Sequence, residues 1–220
     1  MGCVGQALDN NRGMYTPKHF NSPDLTLAQQ LMGERPLALL IGPDADGQSF
    51  GSHVPLGVIQ EGNGQGAWLL EGHMARANPH WAWLQAQHSV MAVFSGPSAY
   101  ISPAHYDTQL AVPTWNYIAV HVYGTLSLID DHTAKDALLK RLIAQHEPGY
   151  AAQWRGLPED FQDKLLGAIV GFRIHVTRWE GKFKLSQNRP AAERTRIQSA
   201  FAEGSADEQA LARWMGQLGL

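Results

Sequence analysis

A single cysteine, Cys3, stands in 220 residues. It can form neither an internal disulfide nor a thiolate metal site, which leads us to expect a reducing, cytoplasmic setting. Charge is also sparse: 17% of the residues are charged and the net charge is -3. With no overall basic field, nothing in the bulk electrostatics recruits nucleic acid or an anionic membrane, and a DNA contact would need a local patch. No apolar run approaches the ~20 residues of a membrane span, and the N-terminus lacks the apolar core of a signal peptide. Repeats, charge blocks and low-complexity segments are missing too. What is present is 44% hydrophobic residues, enough for one well-cored domain and short for two. We expect one domain over residues 14–220 with helical additions, behind a flexible tail at 1–13 (MGCVGQALDNNRG) that shows no hydrophobic period.

The apolar pattern then changes period along the chain. DLTLAQQLMG (Asp24 to Gly33) has an acidic cap and helical spacing, so it predicts a helix. RPLALLI reads as a buried strand. SFGSHVPLGVI (Ser49 to Ile59) reads as a strand interrupted by Gly51 and Pro55, hence an edge or a bulge. GNGQG (Gly62 to Gly66) lacks the GxGxxG spacing and sits between strands, so it predicts a hairpin turn. MARANPHWAWLQAQ (Met74 to Gln87) turns and becomes helical. SVMAVFSG is a strand ending at a Gly-Pro turn. From Trp115 to Ile129 the alternation puts Ile118, Val120, Val122, Leu126 and Leu128 on one face. Trp115, Tyr117, His121 and Tyr123 share the other, too aromatic for plain exposure, and predict a homodimer surface. Helices follow at about 133–146 and 158–168, then a long strand from Gly171 to Ser186 and two helices broken near Gly204 and Ser205. Short antiparallel strands with late helices indicate a β-barrel with helical decorations.

Three stretches say more. They are Gly72 to Tyr106 (GHMARANPHWAWLQAQHSVMAVFSGPSAYISPAHY), Val112 to Leu126 (VPTWNYIAVHVYGTL) and Gly171 to Pro190 (GFRIHVTRWEGKFKLSQNRP). On these the chain resembles the PaiB family of FMN-binding negative transcriptional regulators, from about Met14 to Leu211. The resemblance implies a split β-barrel of the pyridoxamine-phosphate-oxidase type, mainly β with peripheral and C-terminal helices, with FMN at a dimer interface. An FMN phosphate needs donors, and Arg76 and Asn78 offer them just before a helix start. By resemblance His73, Arg76, Ala77 and Asn78 are cofactor residues. His53, beside Ser52, meets the ring or ribityl chain, or else bonds only to backbone. The segment EGKFKLSQNR is implied to reach the cofactor across the dimer through Lys184, Gln187 and Asn188, while Lys182 reads as part of a solvated turn.

Other chemistry finds less in the sequence. Ten histidines include no HxH or HxxxH pair, so zinc is not indicated. Haem or another flat ligand is the alternative occupant, since His or Met can serve as axial ligands. Cys3 and Ser95 lack a base at any readable spacing. A flavin-dependent oxidoreductase is the alternative to a regulator. Direct DNA reading would need a helix-turn-helix, yet about twelve residues separate the predicted helices, far more than that motif's ~3 to 4. The locally basic stretch is KLSQNRPAAERTR (Lys184 to Arg196).

Overall fold

The computed structural model describes residues 13–22, 24–61, 68–87 and 89–220; the expectations for the tail at 1–12 and for the GNGQG turn lie outside them. Six strands, β1 (Leu37–Pro43), β2 (Ser49–Gln60), β3 (Trp68–Ala75), β4 (Val90–Ile101), β5 (Thr114–Ile129) and β6 (Ile169–Lys184), close into a barrel in the order β1-β2-β3-β6-β5-β4. Closure leaves no unpaired sheet edge. This is the split-barrel architecture expected from the resemblance. The chain gathers into two compact units, one of Asp24–Gly96 and Val120–Trp179, the other of Pro97–Ala119 and Glu180–Leu220 with the N-terminal stretch.

In the first unit α1 (Leu25–Glu34) starts where the Asp24 carboxylate accepts from the backbone N–H of Thr26 at 2.8 Å and of Leu27 at 3.3 Å. Its buried stripe is Ala28, Leu31 and Met32. β2 is unbroken. Pro55 stands where the strand changes partner: it is the last residue registered on β1, opposite Leu37, and Leu56 is the first registered on β3, opposite Gly72. A residue with no N–H belongs at such a handover. Leu40, Leu70, Phe94, Val122, Phe172 and Ile174 are all fully buried and fill the interior.

The helix α2 (His80–Gln87) follows the polar turn Arg76–Asn78 as expected, while β3 runs on to Ala75. The helix packs on β1 and β2. Leu84 is fully buried against Gly42, where an added Cβ would lie 2.3 Å from Leu84 Cδ2. Phe50 meets His80 and Trp83 edge-on at 4.9 and 5.1 Å. The Gly96-Pro97 turn is replaced by continuous strand, since the residue before a proline is itself held extended.

Helix α3 (His132–His146) reaches β3 through Arg141 and β6 through Leu138, whose Cδ1 would lie 3.4 Å from a Cβ at Gly171. Glu71 of β3, 3% exposed, accepts from Arg141 Nε of α3 at 2.8 Å and from Arg173 Nε of β6 at 2.8 Å. β5 and β6 approach so closely at Gly124 that a Cβ would lie 2.3 Å from the His175 carbonyl oxygen. The expected twelve-residue loop holds a helix of its own, α4 (Tyr150–Gly156), before α5 (Glu159–Gly167). Its buried Trp154 donates its indole N–H to Asp136 of α3 at 3.0 Å. Pro148, Gly149, Gly156 and Pro158 punctuate so short a helix that its period cannot be read.

The second unit is built on α6 (Ala191–Ala202) and α7 (Ala206–Gln217). They are separated at Gly204 as expected, and Ser205 and Glu208 form a reciprocal capping box. Ile197, Phe201, Leu211 and Met215 are buried with Phe183, whose ring meets Trp214 edge-on at 5.5 Å.

Candidate functional site

At the β3–α2 turn, Arg76 is fixed by its own chain. Nε donates to the Gly167 carbonyl at 2.9 Å, and Nη2 donates to the Ile169 carbonyl at 3.1 Å and to Asp130 Oδ1 at 2.6 Å. That pairing holds the Asp130 carboxyl below its ordinary range. Arg76 Nη1 and the Ala77 backbone N–H have no acceptor among the described residues. Asn78 is spent locally: its Oδ1 caps the His80 N–H at 3.0 Å and its Nδ2 donates to Ser52 Oγ at 3.0 Å. Ser52 Oγ in turn lies 2.9 Å from His80 Nδ1. A hydroxyl carries one proton and two lone pairs, so Ser52 can accept from Asn78 and still pair with His80 Nδ1 in either tautomer.

His80 is fully buried and its Nε2 has no partner among the described residues; His73 Nδ1 is likewise buried without one. His73 alternates with Glu71 and so shares the β3 face that α3 covers. His53 stands exposed opposite Leu39. Burial pushes the pKa of both His73 and His80 below the ordinary 6.5. Above that value neither folded nor unfolded imidazole is charged. Below it the unfolded chain takes up protons that the folded one refuses, so stability falls as pH drops through the window beneath roughly 6.5. The melting temperature should hold between about pH 8 and 7 and decline between about 6.5 and 5, with His80→Gln flattening part of the decline. A variant that declines as steeply as the parent would mean that His80 does not contribute.

In the second unit, a cavity of about 210 Å³ opens beside the end of β6. Phe20, Val112 and Pro113 form its apolar walls, and Thr114, Asn116, Lys184, Ser186, Asn188 and Arg189 bring polar groups to it. Lys184 Nζ donates to Thr114 Oγ1 at 2.5 Å and to the Trp115 carbonyl. Burial lowers its pKa, and the charges of Lys182 and Arg189 add to the effect. Lys182 departs from the solvated turn expected of it. It is 8% exposed, donates to the Tyr15 carbonyl at 2.8 Å and lies 5.3 Å from the Tyr117 ring centre. Gln187 turns back as a staple, accepting from the Leu185 N–H at 2.7 Å and donating to the Phe183 carbonyl at 2.5 Å. It thereby holds Ser186 at φ 64, a left-handed conformation rare for a residue with a Cβ. From there Ser186 Oγ donates to Asn116 Oδ1 at 3.1 Å.

Lys184 and Asn188 of the expected set are therefore brought to one cavity, Arg76 and Ala77 to one turn, and His53, Asn78 and Gln187 to neither in a ligand-ready form. Sequence reasoning missed Asn116, Tyr106, Arg189 and Ser186. One signal was available: Asn116 falls in register with Ile118 and Val120 on the apolar face of β5, where a polar side chain needs a reason. Of the expected aromatic surface, Trp115 is 53% exposed beside Tyr100, ring centres 6.1 Å apart, while the Tyr123 ring is capped by the Arg178 guanidinium at 3.7 Å.

Known proteins place these features in a family. The chain is 32% identical over 177 residues to protease synthase and sporulation protein PAI 2 of Bacillus subtilis, covering 80% of this chain and 83% of that one. An uncharacterized Saccharomyces cerevisiae protein, YKL070W, is 35% identical over 150 residues, 59% of this chain and 86% of that one. Among solved structures, an FAD and heme binding protein from Mycobacterium smegmatis aligns with a TM-score of 0.60 at 19% identity, covering 84% of this chain and 81% of that one. A flavocytochrome from Azotobacter vinelandii aligns at 0.58 and 18% identity, covering 74% and 69%. These two likenesses concern the fold. The sequence profile of the family described as "Putative FMN-binding domain" matches residues 14–178, well over half of the chain, and the chain belongs to that family.

Proposed function

We propose that this protein binds FMN as a PaiB-type homodimer, with the cofactor's phosphate on the Arg76–Ala77 turn. The observation that carries the reading is the partly used guanidinium: Nε and Nη2 fix Arg76 in place, while Nη1 and the Ala77 N–H, just before α2, keep donors without acceptors among the described residues. This donor set fits a phosphate dianion, and the helix start adds a favourable dipole. Bound FMN would supply electron and hydride transfer. The Arg76–Ala77 turn offers donors for a phosphate but no apolar wall for a flat ring, and ligands of that size are held in sites with such walls. A second copy supplies that wall in our reading, and the exposed Trp115 and Tyr100 are apolar surface suited to meeting it.

Regulation, in this reading, runs through the bound ligand and not through a basic helix. The three arginines of the basic stretch are engaged within the chain. Arg189 stacks on Tyr106 at 3.7 Å, Arg194 donates to the Arg189 carbonyl at 2.6 Å, and Arg196 donates to Asp107 Oδ1 at 2.6 Å.

Sedimentation velocity followed at the flavin's visible absorbance tests both parts. Flavin should travel with a species twice the 24.2 kDa chain mass. Arg76→Ala removes a charge-assisted contact worth about 1.5 to 3 kcal/mol, which weakens FMN about ten- to hundredfold. Riboflavin, lacking the phosphate, should bind parent and variant alike, and Asp130→Asn, which keeps the guanidinium, should retain FMN. Equal FMN affinity in parent and Arg76→Ala removes the phosphate from this turn; flavin travelling with a single-chain species removes the dimer.

A further inference from the structure

We propose that the cavity beside Lys184 is a binding site for a small organic carboxylate with an apolar body, a ligand distinct from the flavin. Two side chains more than nine-tenths buried carry the inference. Asn116 is 1% exposed; its Oδ1 is committed to Ser186, and its Nδ2 has no partner among the described residues. Tyr106 is 8% exposed and its hydroxyl is also unpartnered among them. Both line the cavity. Buried donors left unmet are costly, and native structures seldom keep them without a ligand, a water or a function.

The charge of the wall selects the ligand's sign. Lys184 and Arg189 both reach the cavity, and neither aspartate nor glutamate lines it among the described residues. Arg189 has a carboxylate neighbour, Glu193, at 3.8 Å. Lys184 has only neutral oxygens, from Thr114 and Trp115, and its ammonium is further strained by Lys182. One positive charge at the wall is thus left for a guest to match, and an anion brings acceptors for Lys184 and for the Asn116 amide together. The remainder of the wall, Phe20, Val112 and Pro113, suits an apolar body.

Size narrows the class. An apolar cavity of roughly 150 Å³ holds a benzene ring, so about 210 Å³ has room for a ring of that size and one carboxylate. It is too small for a nucleotide. The strained Ser186 fits the same account, because its left-handed backbone directs the hydroxyl that orients Asn116.

Calorimetric titration of flavin-free protein with benzoate, benzamide and inorganic phosphate tests the inference. Benzoate should bind at least about tenfold more tightly than its neutral analogue benzamide, and more tightly than phosphate, which cannot use the apolar wall. Preloading with FMN should leave the benzoate affinity unchanged. Lys184→Met should bring benzoate down to the level of benzamide; if that variant does not fold, the parent comparison still decides. Equal affinities for benzoate and benzamide, or for benzoate and phosphate, overturn the proposal. One-for-one displacement of benzoate by FMN also overturns it and makes the cavity a flavin subsite, whereas failure of FMN to bind at all leaves the benzoate result standing on its own.

Discussion

The Glu71→Gln variant should lose about 3 kcal/mol of folding stability, the scale on which an opened buried ion pair is felt. Glu71 is one carboxylate serving two guanidinium groups, with Arg141 Nη2 at 2.6 Å and Arg173 Nε at 2.8 Å. The two arginines are 43% and 42% exposed, so water can recover part of their charge once the carboxylate is gone, which keeps the cost near the low end of that scale. Their own removal is asymmetric. Either Arg141→Ala or Arg173→Ala leaves Glu71 one partner, but the double variant leaves a carboxylate with 4% exposure and none. Its loss should exceed the sum of the single losses. Urea unfolding of the four proteins reads this directly, and additive losses would show that the three groups do not act as one clasp.

Gly124→Ala should be at least as damaging, about 3 kcal/mol or more, with soluble yield falling accordingly. The reason is the identity of what the methyl group meets. The His175 carbonyl oxygen at 2.3 Å belongs to the backbone of β6, and Ile174 Cγ2 lies at 2.7 Å, so no flexible chain end can swing aside. The strands must part or slide, and a slide by one residue would turn every inward side chain outward. Gly156→Ala is the control. Nothing lies within 4 Å of a Cβ there, at the end of α4, and the substitution should be neutral or stabilise by up to about 1 kcal/mol. Thermal melts in which Gly124→Ala matches Gly156→Ala would show that β5 and β6 can separate without cost.

Barrel and helices were legible because period and punctuation are local properties. The alternation through Ile118, Val120 and Val122 and the Ser205–Glu208 box each specify their element with no help from distant residues. α4 and the length of β4 were not, because their punctuation misleads: Gly96-Pro97 looks like a turn and is strand, and Gly149 to Pro158 looks like loop and contains a helix. The site was legible in kind more than in assignment. Arg76 carries the donors foreseen for it, but Nε and Nη2 are spent on the Gly167 and Ile169 carbonyls and on Asp130. Asn78 looked like a ligand and is a cap. Asn116 and Tyr106 could not be foreseen as a pair, because residues ten apart in sequence meet at one cavity only once the chain has folded.

The packing of α2 on β1 and β2 has a consequence for traffic. Leu84 is packed against Gly42, and Leu40, Phe94 and Phe172 are fully buried, so side chains and not solvent occupy this part of the barrel. A phosphate held on the Arg76 turn, as proposed above, would board and leave without any need for the strands to breathe.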